Sequence, residues 1–413
     1  MSLPSVLPRD WAAASLTDVA GTGSARRGIV PAAAVAATAL LLLAGANLGR
    51  FPLLAAAVAM APAGLTSPLA GIVAAMAGPM LLTARVLAAF CACFGLLRIV
   101  ARLAGSDLGG MTATAALIGL SWIVAGPGLI SGGPAIGGAF SPTQAAAALL
   151  ILALALALDG LPVAAIALLG AVFAIQPEVA LWGVFILAAA SIGLARQGTR
   201  VSRAWLAGGA CALLLAAPAA LWWTHATGFV PAHAPTDGML PPPAWQPWFL
   251  PLASWILSAS MLAMGLAACS ALGPDGWPML GAFAAGVLVF VCGCVLPLVT
   301  RSPWLLALRP MTIDAVLQPL ATVAAAAVLA RDLAGRSGTL RLALSTIAAA
   351  GLLLHPFLLP LAALAMLARA AAAHGELLGI ERRIRDWDRA LLSRAALGAV
   401  ALAAVAGGVL RTW

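Results

Sequence analysis

The chain has 413 residues, of which 63% are hydrophobic and 8% are charged, and its mean hydropathy is +1.07. Soluble domains carry about a quarter charged residues, so this composition excludes a protein whose whole surface faces water. The formal net charge of +9 comes from 22 basic residues that are all Arg and lie mainly between apolar runs, a pattern typical of membrane proteins rather than nucleic-acid-binding proteins.

Apolar runs recur along the chain, and each is about 17–25 residues long, enough to cross the hydrocarbon core of a membrane. They predict an all-α fold, a polytopic integral membrane helix bundle of about 13 spans (about 11 to 14), in which several helices are short or broken. The Ala- and Arg-rich composition and the Arg distribution predict a bacterial inner membrane protein with a cytoplasmic N-terminus. Membrane lipids are its expected partners, no nucleic acid is expected, and nothing in the sequence identifies a protein partner.

The sequence divides into four predicted regions. Residues 1–28 form a cytoplasmic tail, and residues 29–374 form a multi-span membrane domain. Residues 375–390 form an interfacial amphipathic helix, because apolar residues recur there every three or four positions opposite charged ones. Residues 391–413 form the final span.

The placement of one segment near the start of the membrane domain stays open. A span is predicted at about 29–49, and residues 51–77 after it are apolar but interrupted by Pro and Gly. We interpret 51–77 as a broken, re-entrant or interfacial hairpin on the outer side, because a full span there would place Arg98 and Arg102 outside. A spanning helix is the alternative.

Six helices and two outer loops are predicted next. The helices lie at about 78–97, 111–127, 143–158, 161–175, 179–195 and 204–223, and the outer loops at about 126–142 and 224–247. Gln176, Pro177 and Glu178 join the two short helices of this series, at positions where a lipid-facing helix would carry Leu or Val.

The C-terminal half repeats part of this pattern. It contains predicted helices at about 248–271, 278–299, 340–354 and 357–371, an outer segment at 300–311, and a helix that begins near Asp314. His355 and Pro356 lie between the last two short helices. Residues 168–188 and 348–368 both place a polar residue and a Pro between short apolar helices, which would fit an ancient duplication.

Most of the unexplained polar residues fall on the predicted outer side. Ionisable groups at membrane depth are costly and usually face a cavity or a partner. Arg is suited to bidentate binding of phosphate or carboxylate, and acids near helix starts also stabilise the positive end of the helix dipole. The residues concerned are Gln176, Glu178, His225, His233, Asp237, Arg301, Arg309, Asp314 and His355.

Four stretches together resemble polytopic bacterial membrane glycosyltransferases of the GT-C type. They are FSPTQAAAALLILALALAL (140–158), IQPEVALW (175–182), LRPMTIDAVLQPL (308–320) and LLLHPFLLPL (352–361). The resemblance implies a polyprenyl-phosphate sugar donor that is used on the outer side of the membrane.

The resemblance also suggests roles for individual residues. Glu178, Asp314 and Asp237 are the candidate catalytic acids, and Arg309 and Arg301, with Gln176 and His355, are the candidate phosphate- or substrate-binding residues. Relatives of this type carry an acid in the first outer loop, but residues 50–77 contain neither Asp nor Glu. The chain is therefore either an enzyme that uses another acid or a degenerate relative that keeps only the scaffold.

Two other classes of function stay open. Broken helices and an internal repeat would fit a transporter or flippase, with Glu178 as an ion or proton site. A structural subunit of an envelope assembly would need its polar residues only as helix caps. No cofactor is predicted, and no motif indicates a divalent metal.

Overall fold

The computed structural model describes residues 79–104, 142–197, 204–226, 252–300, 308, 310–333, 338–354, 356–373, 394–403 and 406. These residues form helices, with no strand among them. In chain order they are α1 (Pro79–Ala104), α2 (Pro142–Leu158), α3 (Pro162–Ile175), α4 (Pro177–Arg196), α5 (Ala204–Ala226), α6 (Leu252–Ala271), α7 (Trp277–Val299), α8 (Asp314–Arg331), α9 (Thr339–Leu354) and α10 (Leu359–Ala373). Short 3-10 turns at Gly273–Gly276, Pro310–Ile313 and Pro356–Leu358 precede α7, α8 and α10.

Five helical stretches in the described part of the chain are long and apolar enough to cross a membrane: Val86–Leu103, Pro177–Arg196, Leu252–Ala271, Gly273–Val299 and Pro310–Arg331. Several shorter apolar helices accompany them, among them α2, α3, α9 and α10. The predicted all-helical class is therefore confirmed for the described residues, and these apolar helices are compatible with the predicted membrane protein. The predicted count of about 13 spans is not confirmed by these helices.

Helix α8 lies at the centre of the bundle. In its most apolar stretch 94% of the residues are buried, against 39% for α6, and α8 contacts α1, α2, α6, α7 and α9. Its sequence explains this position, because residues 321–330 are mostly Ala and let neighbouring backbones approach closely. These five helices surround α8, and large apolar side chains such as Leu213, Leu288 and Leu364 are exposed on the outside of the bundle.

Contacts between helix ends define the first end of the bundle. A Cβ on Gly193, near the end of α4, would lie 2.5 Å from Pro278 at the start of α7, so α4 and α7 are antiparallel. A Cβ on Gly293, near the end of α7, would meet Met311 just before α8 at 2.5 Å. The starts of α4 and α8 and the end of α7 therefore lie together. We call this the acid end, and it contains Gln176, Glu178 and Asp314.

The opposite end joins the C-terminal ends of α1, α8 and α10 to the turn between α6 and α7. Arg331 donates to the carbonyls of Leu103 at 2.7 Å and Leu272 at 3.1 Å, and it pairs with Asp275 at 2.9 Å. Further ion pairs at this end join α1 to the α2–α3 turn and α8 to α10. We call it the arginine end, defined by Arg98, Asp159, Asp275, Arg331, Asp332 and Arg369.

Helix boundaries differ from the predicted ones in three places. The first described helix runs to Ala104 rather than to about 97, and α5 runs to Ala226, into the predicted outer loop at 224–247. The helix predicted at 179–195 begins at Pro177 and has 20 residues, so it is not short. Pro177 and Glu178 fit the first turn because Pro needs no hydrogen-bond acceptor there and an acid stabilises the helix dipole.

Several predictions lie outside the described residues. They concern the tail at 1–28, the span at 29–49, the hairpin at 51–77, the helix at 111–127, the glycine-rich loop up to 141, most of the outer loop at 224–247 and the amphipathic helix at 375–390. Of the final span at 391–413, the structure describes the helical segment Arg394–Ala403.

Candidate functional site at the acid end

Gln176 is the break between α3 and α4. Its backbone is extended, with φ −151° and ψ 96°, and both helices close onto it. The Gln176 amide N–H donates to the carbonyl of Val172 at 2.7 Å, and its carbonyl accepts from the N–H of Ala180 at 3.2 Å. The break therefore leaves these backbone groups hydrogen-bonded, which an apolar environment requires.

The polar side chains at this break are enclosed by protein. Glu178 is 2% exposed and Gln176 is 7% exposed, and the Gln176 side-chain amide donates to Glu178 Oε1. The sequence predicted that these residues join two short helices on the outer side and that the acid faces a cavity or a partner. The junction is present, but Glu178 lies inside the bundle, where an amide donor and the N-terminus of α4 stabilise its carboxylate.

Trp182 connects this break to the start of α8. Its indole N–H donates to the carbonyl of Leu308 at 3.3 Å, and the start of α4 contacts the 3-10 turn Pro310–Ile313. The structure therefore brings together the stretches IQPEVALW and LRPMTIDAVLQPL, which are 126 residues apart at this contact. A Trp in an apolar helix usually finds an acceptor for its N–H, but the sequence does not show which acceptor it is.

Asp314 is the first residue of the central helix α8. It is 2% exposed, and the 3-10 turn before it packs against the end of α7. Glu178 and Asp314 thus occupy equivalent places, each in the first turn of a helix that begins at the acid end. They lie on the same side of the molecule, as predicted.

A small cavity opens beside Asp314. Its polar lining consists of Ser258 from α6 and Asp314 and Gln318 from α8, and its apolar lining includes Met261, Phe290 and Leu317. The cavity has room for about one water molecule. Neither Ser258 nor Gln318 was a predicted site residue, because a single Ser or Gln in an apolar helix carries no distinctive sequence pattern.

The other predicted site residues lie outside the described part of the chain. They are Asp237, Arg301, Arg309 and His355. Arg309 lies in the sequence between Leu308 and Pro310, both of which the structure describes at the acid end. Among the described residues, no group of three or more His, Cys, Asp and Glu side chains could hold a metal ion.

The acids at the arginine end have a different environment. Asp159 pairs with Arg98 at 2.6 Å, Asp275 with Arg331 at 2.9 Å, and Asp332 with Arg369 at 2.6 Å. Each of these pairs joins separate parts of the chain and therefore has a structural role. Comparisons with protein-family models, with curated proteins and with solved structures find no match to this chain.

Proposed function

We propose that the protein is a GT-C-like integral protein of the bacterial inner membrane that handles a lipid-linked sugar or glycan from the outer face. The observation that carries the proposal is that two carboxylates, Glu178 and Asp314, are buried in the first turns of helices that begin at the same end of the bundle. The segments that position them are two of the four stretches that resemble glycosyltransferases of this type. The N-terminus is cytoplasmic in this proposal, and the acid end faces outward.

The orientation follows from the charges at the two ends. Arg196, Arg331 and Arg369 lie near the C-terminal ends of helices that start at the acid end. Loops rich in Arg stay preferentially on the cytoplasmic side. The arginine end is therefore assigned to the cytoplasm, which leaves Glu178 and Asp314 on the side where a polyprenyl-linked sugar would be used.

The chemistry requires a base, a phosphate-binding group and exclusion of water. Glu178 or Asp314 supplies the carboxylate that accepts a proton from an acceptor hydroxyl, with Asp237 as the third candidate. Arg309 and Arg301 bind the phosphate of the donor. Gln176 orients Glu178 through its amide, and the burial of both acids keeps water from competing with the acceptor.

Turnover of a defined donor tests the proposal. Full-length protein is reconstituted in liposomes with a radiolabelled polyprenyl-phosphate sugar, and Glu178→Gln, Asp314→Asn and Asp237→Asn are compared with wild type. The variant that removes the base should lower turnover by at least about 100-fold. Asp275→Asn is the matched control, because Asp275 is an exposed acid at the arginine end, and it should keep wild-type turnover. Full turnover in all three test variants would show that the enzyme proposal is wrong.

A transporter is the second candidate, and the break at Gln176 favours it. Helices that are interrupted beside a buried polar residue form the substrate and ion sites of many secondary transporters. A cysteine scan along α4 separates the two functions. A transporter should show labelling from both sides of the membrane that changes when substrate is added, whereas an outer-face enzyme should be labelled from one side regardless of substrate.

A further inference from the structure

The hydroxyl of Ser258 differs from six other helical hydroxyls in the described part of the chain. Ser in a helix normally donates back to the carbonyl three or four residues earlier. Six hydroxyls here do so, those of Ser191, Ser260, Ser270, Thr322, Ser345 and Thr346. Ser258 Oγ is buried, the residue is 3% exposed, and no described residue accepts or donates a hydrogen bond to it.

Ser258 lines the small cavity beside Asp314 together with Gln318. Three side chains with oxygen atoms, a hydroxyl, a carboxylate and an amide, therefore converge on one space from two helices. Met261, Leu262, Phe290 and Leu317 form the apolar part of the lining. Because the Ser258 hydroxyl has no hydrogen-bond partner in the described protein, we expect a group bound in this space to interact with it.

The chemistry of the lining selects the bound group. A carboxylate offers about four lone-pair positions, so Asp314 can bind a guest in addition to its other contacts. A hydroxyl oxygen, a carboxylate and an amide oxygen are hard ligands of the kind that small cations bind, and Ser258, Asp314 and Gln318 offer all three at one space. The Asp314 carboxylate is the one negative charge in the lining, and it favours a guest that carries a single positive charge.

We propose that Ser258, Asp314 and Gln318 form a binding site for one dehydrated monovalent cation of sodium size. The site lies near the starts of α6 and α8, at the acid end and beside the central helix. The bound cation is coordinated by oxygen atoms from both helices and therefore links α6 to α8. This inference does not depend on the proposed glycan function.

Equilibrium binding of radioactive sodium to the purified full-length protein tests the site. The measurement is made in detergent, without any sugar donor and at constant ionic strength with choline chloride as the balancing salt. Wild type should bind about one sodium ion per chain, and unlabelled sodium should displace it. Loss of one oxygen ligand in Ser258→Ala should raise the half-saturating sodium concentration about tenfold, and Asp314→Asn should abolish binding.

Ser260→Ala is the matched control, since the Ser260 hydroxyl donates to the Ile256 carbonyl and lies away from the cavity. It should bind sodium as wild type does. Thermal unfolding in sodium and in choline provides a second readout, because a ligand that binds only the folded state raises the unfolding temperature. Absence of sodium binding to wild type, or unchanged binding in Ser258→Ala, would overturn the proposal. Neither result bears on turnover of a sugar donor.

Discussion

At the scale of single residues, the ion pair between Asp332 and Arg369 is the best-defined polar interaction at the arginine end. Arg369 Nε donates to Asp332 Oδ2 at 2.6 Å and Nη2 donates to Oδ1 at 2.7 Å. The side chains are 1% and 6% exposed, so both charges are removed from water. A bidentate pair of this kind fixes the geometry between α8 and α10.

Removing one partner of this pair should be costly. Arg369→Leu leaves the Asp332 carboxylate buried without its guanidinium, and we expect a loss of about 3–5 kcal/mol in the free energy of unfolding. Denaturant unfolding in detergent measures it. Asp275→Asn breaks a pair whose acid is 69% exposed and should cost at most about 1 kcal/mol. A similar small cost for Arg369→Leu would contradict a buried, structural role.

The sequence allowed part of the candidate site to be predicted at this scale. Glu178 and Asp314 were identified because a carboxylate in an apolar run is conspicuous, and both indeed lie at helix starts. Ser258 and Gln318 were not, because their importance depends on neighbours from another helix. Burial of Glu178 was not predicted either, since hydropathy along one helix does not show which helices surround it.

At the scale of elements, the contact between α4 and α7 depends on glycine. A Cβ on Gly281 would lie 2.7 Å from the carbonyl oxygen of Ala189, and one on Gly193 would lie 2.5 Å from Pro278. Both distances are shorter than van der Waals contact with backbone atoms, which cannot move without moving the helix. The two helices therefore approach as closely as they do because these positions lack side chains.

Substitution of these glycines tests the packing. Gly193→Ala should lower the free energy of unfolding by about 1–3 kcal/mol, because it forces α4 away from α7. Gly209→Ala in α5 is the matched control, since a Cβ there meets nothing within 4 Å and Ala favours a helix by up to about 1 kcal/mol. Thermal unfolding of both variants in the same detergent gives the comparison. Equal stabilities would show that the close contact is not required.

Helix positions were predicted better than helix contacts. Helices α2, α3, α7 and α9 begin and end within a few residues of the predicted bounds, because Pro, Gly and charged residues interrupt the apolar runs. The bond between Trp182 and Leu308 could not be predicted, since it joins residues 126 positions apart. The centrality of α8 was also missed, although its Ala-rich sequence explains it.

At the scale of the whole molecule, the polar groups divide between two ends of an apolar bundle. The relative positions of the helix ends agree with the predicted order of the helices. Glu178 and Asp314 lie at one end of the bundle, and Arg196 and Arg331 lie at the other. The arginine end is fixed by ion pairs between elements, and the acid end contains the break at Gln176 and the cavity at Ser258. The ion pairs that stabilise the fold and the candidate functional residues therefore lie at opposite ends of the bundle.

Labelling from the two sides of the membrane tests the orientation of this arrangement. Asp275→Cys at the arginine end and Phe357→Cys in the turn before α10 are well matched, because these side chains are 69% and 70% exposed. Both are made in a chain whose six native Cys are replaced. A membrane-impermeant maleimide added to intact spheroplasts should modify Phe357→Cys and leave Asp275→Cys unmodified until the membrane is opened. The reverse pattern would place Glu178 and Asp314 on the cytoplasmic side, where a donor used at the outer face could not reach them.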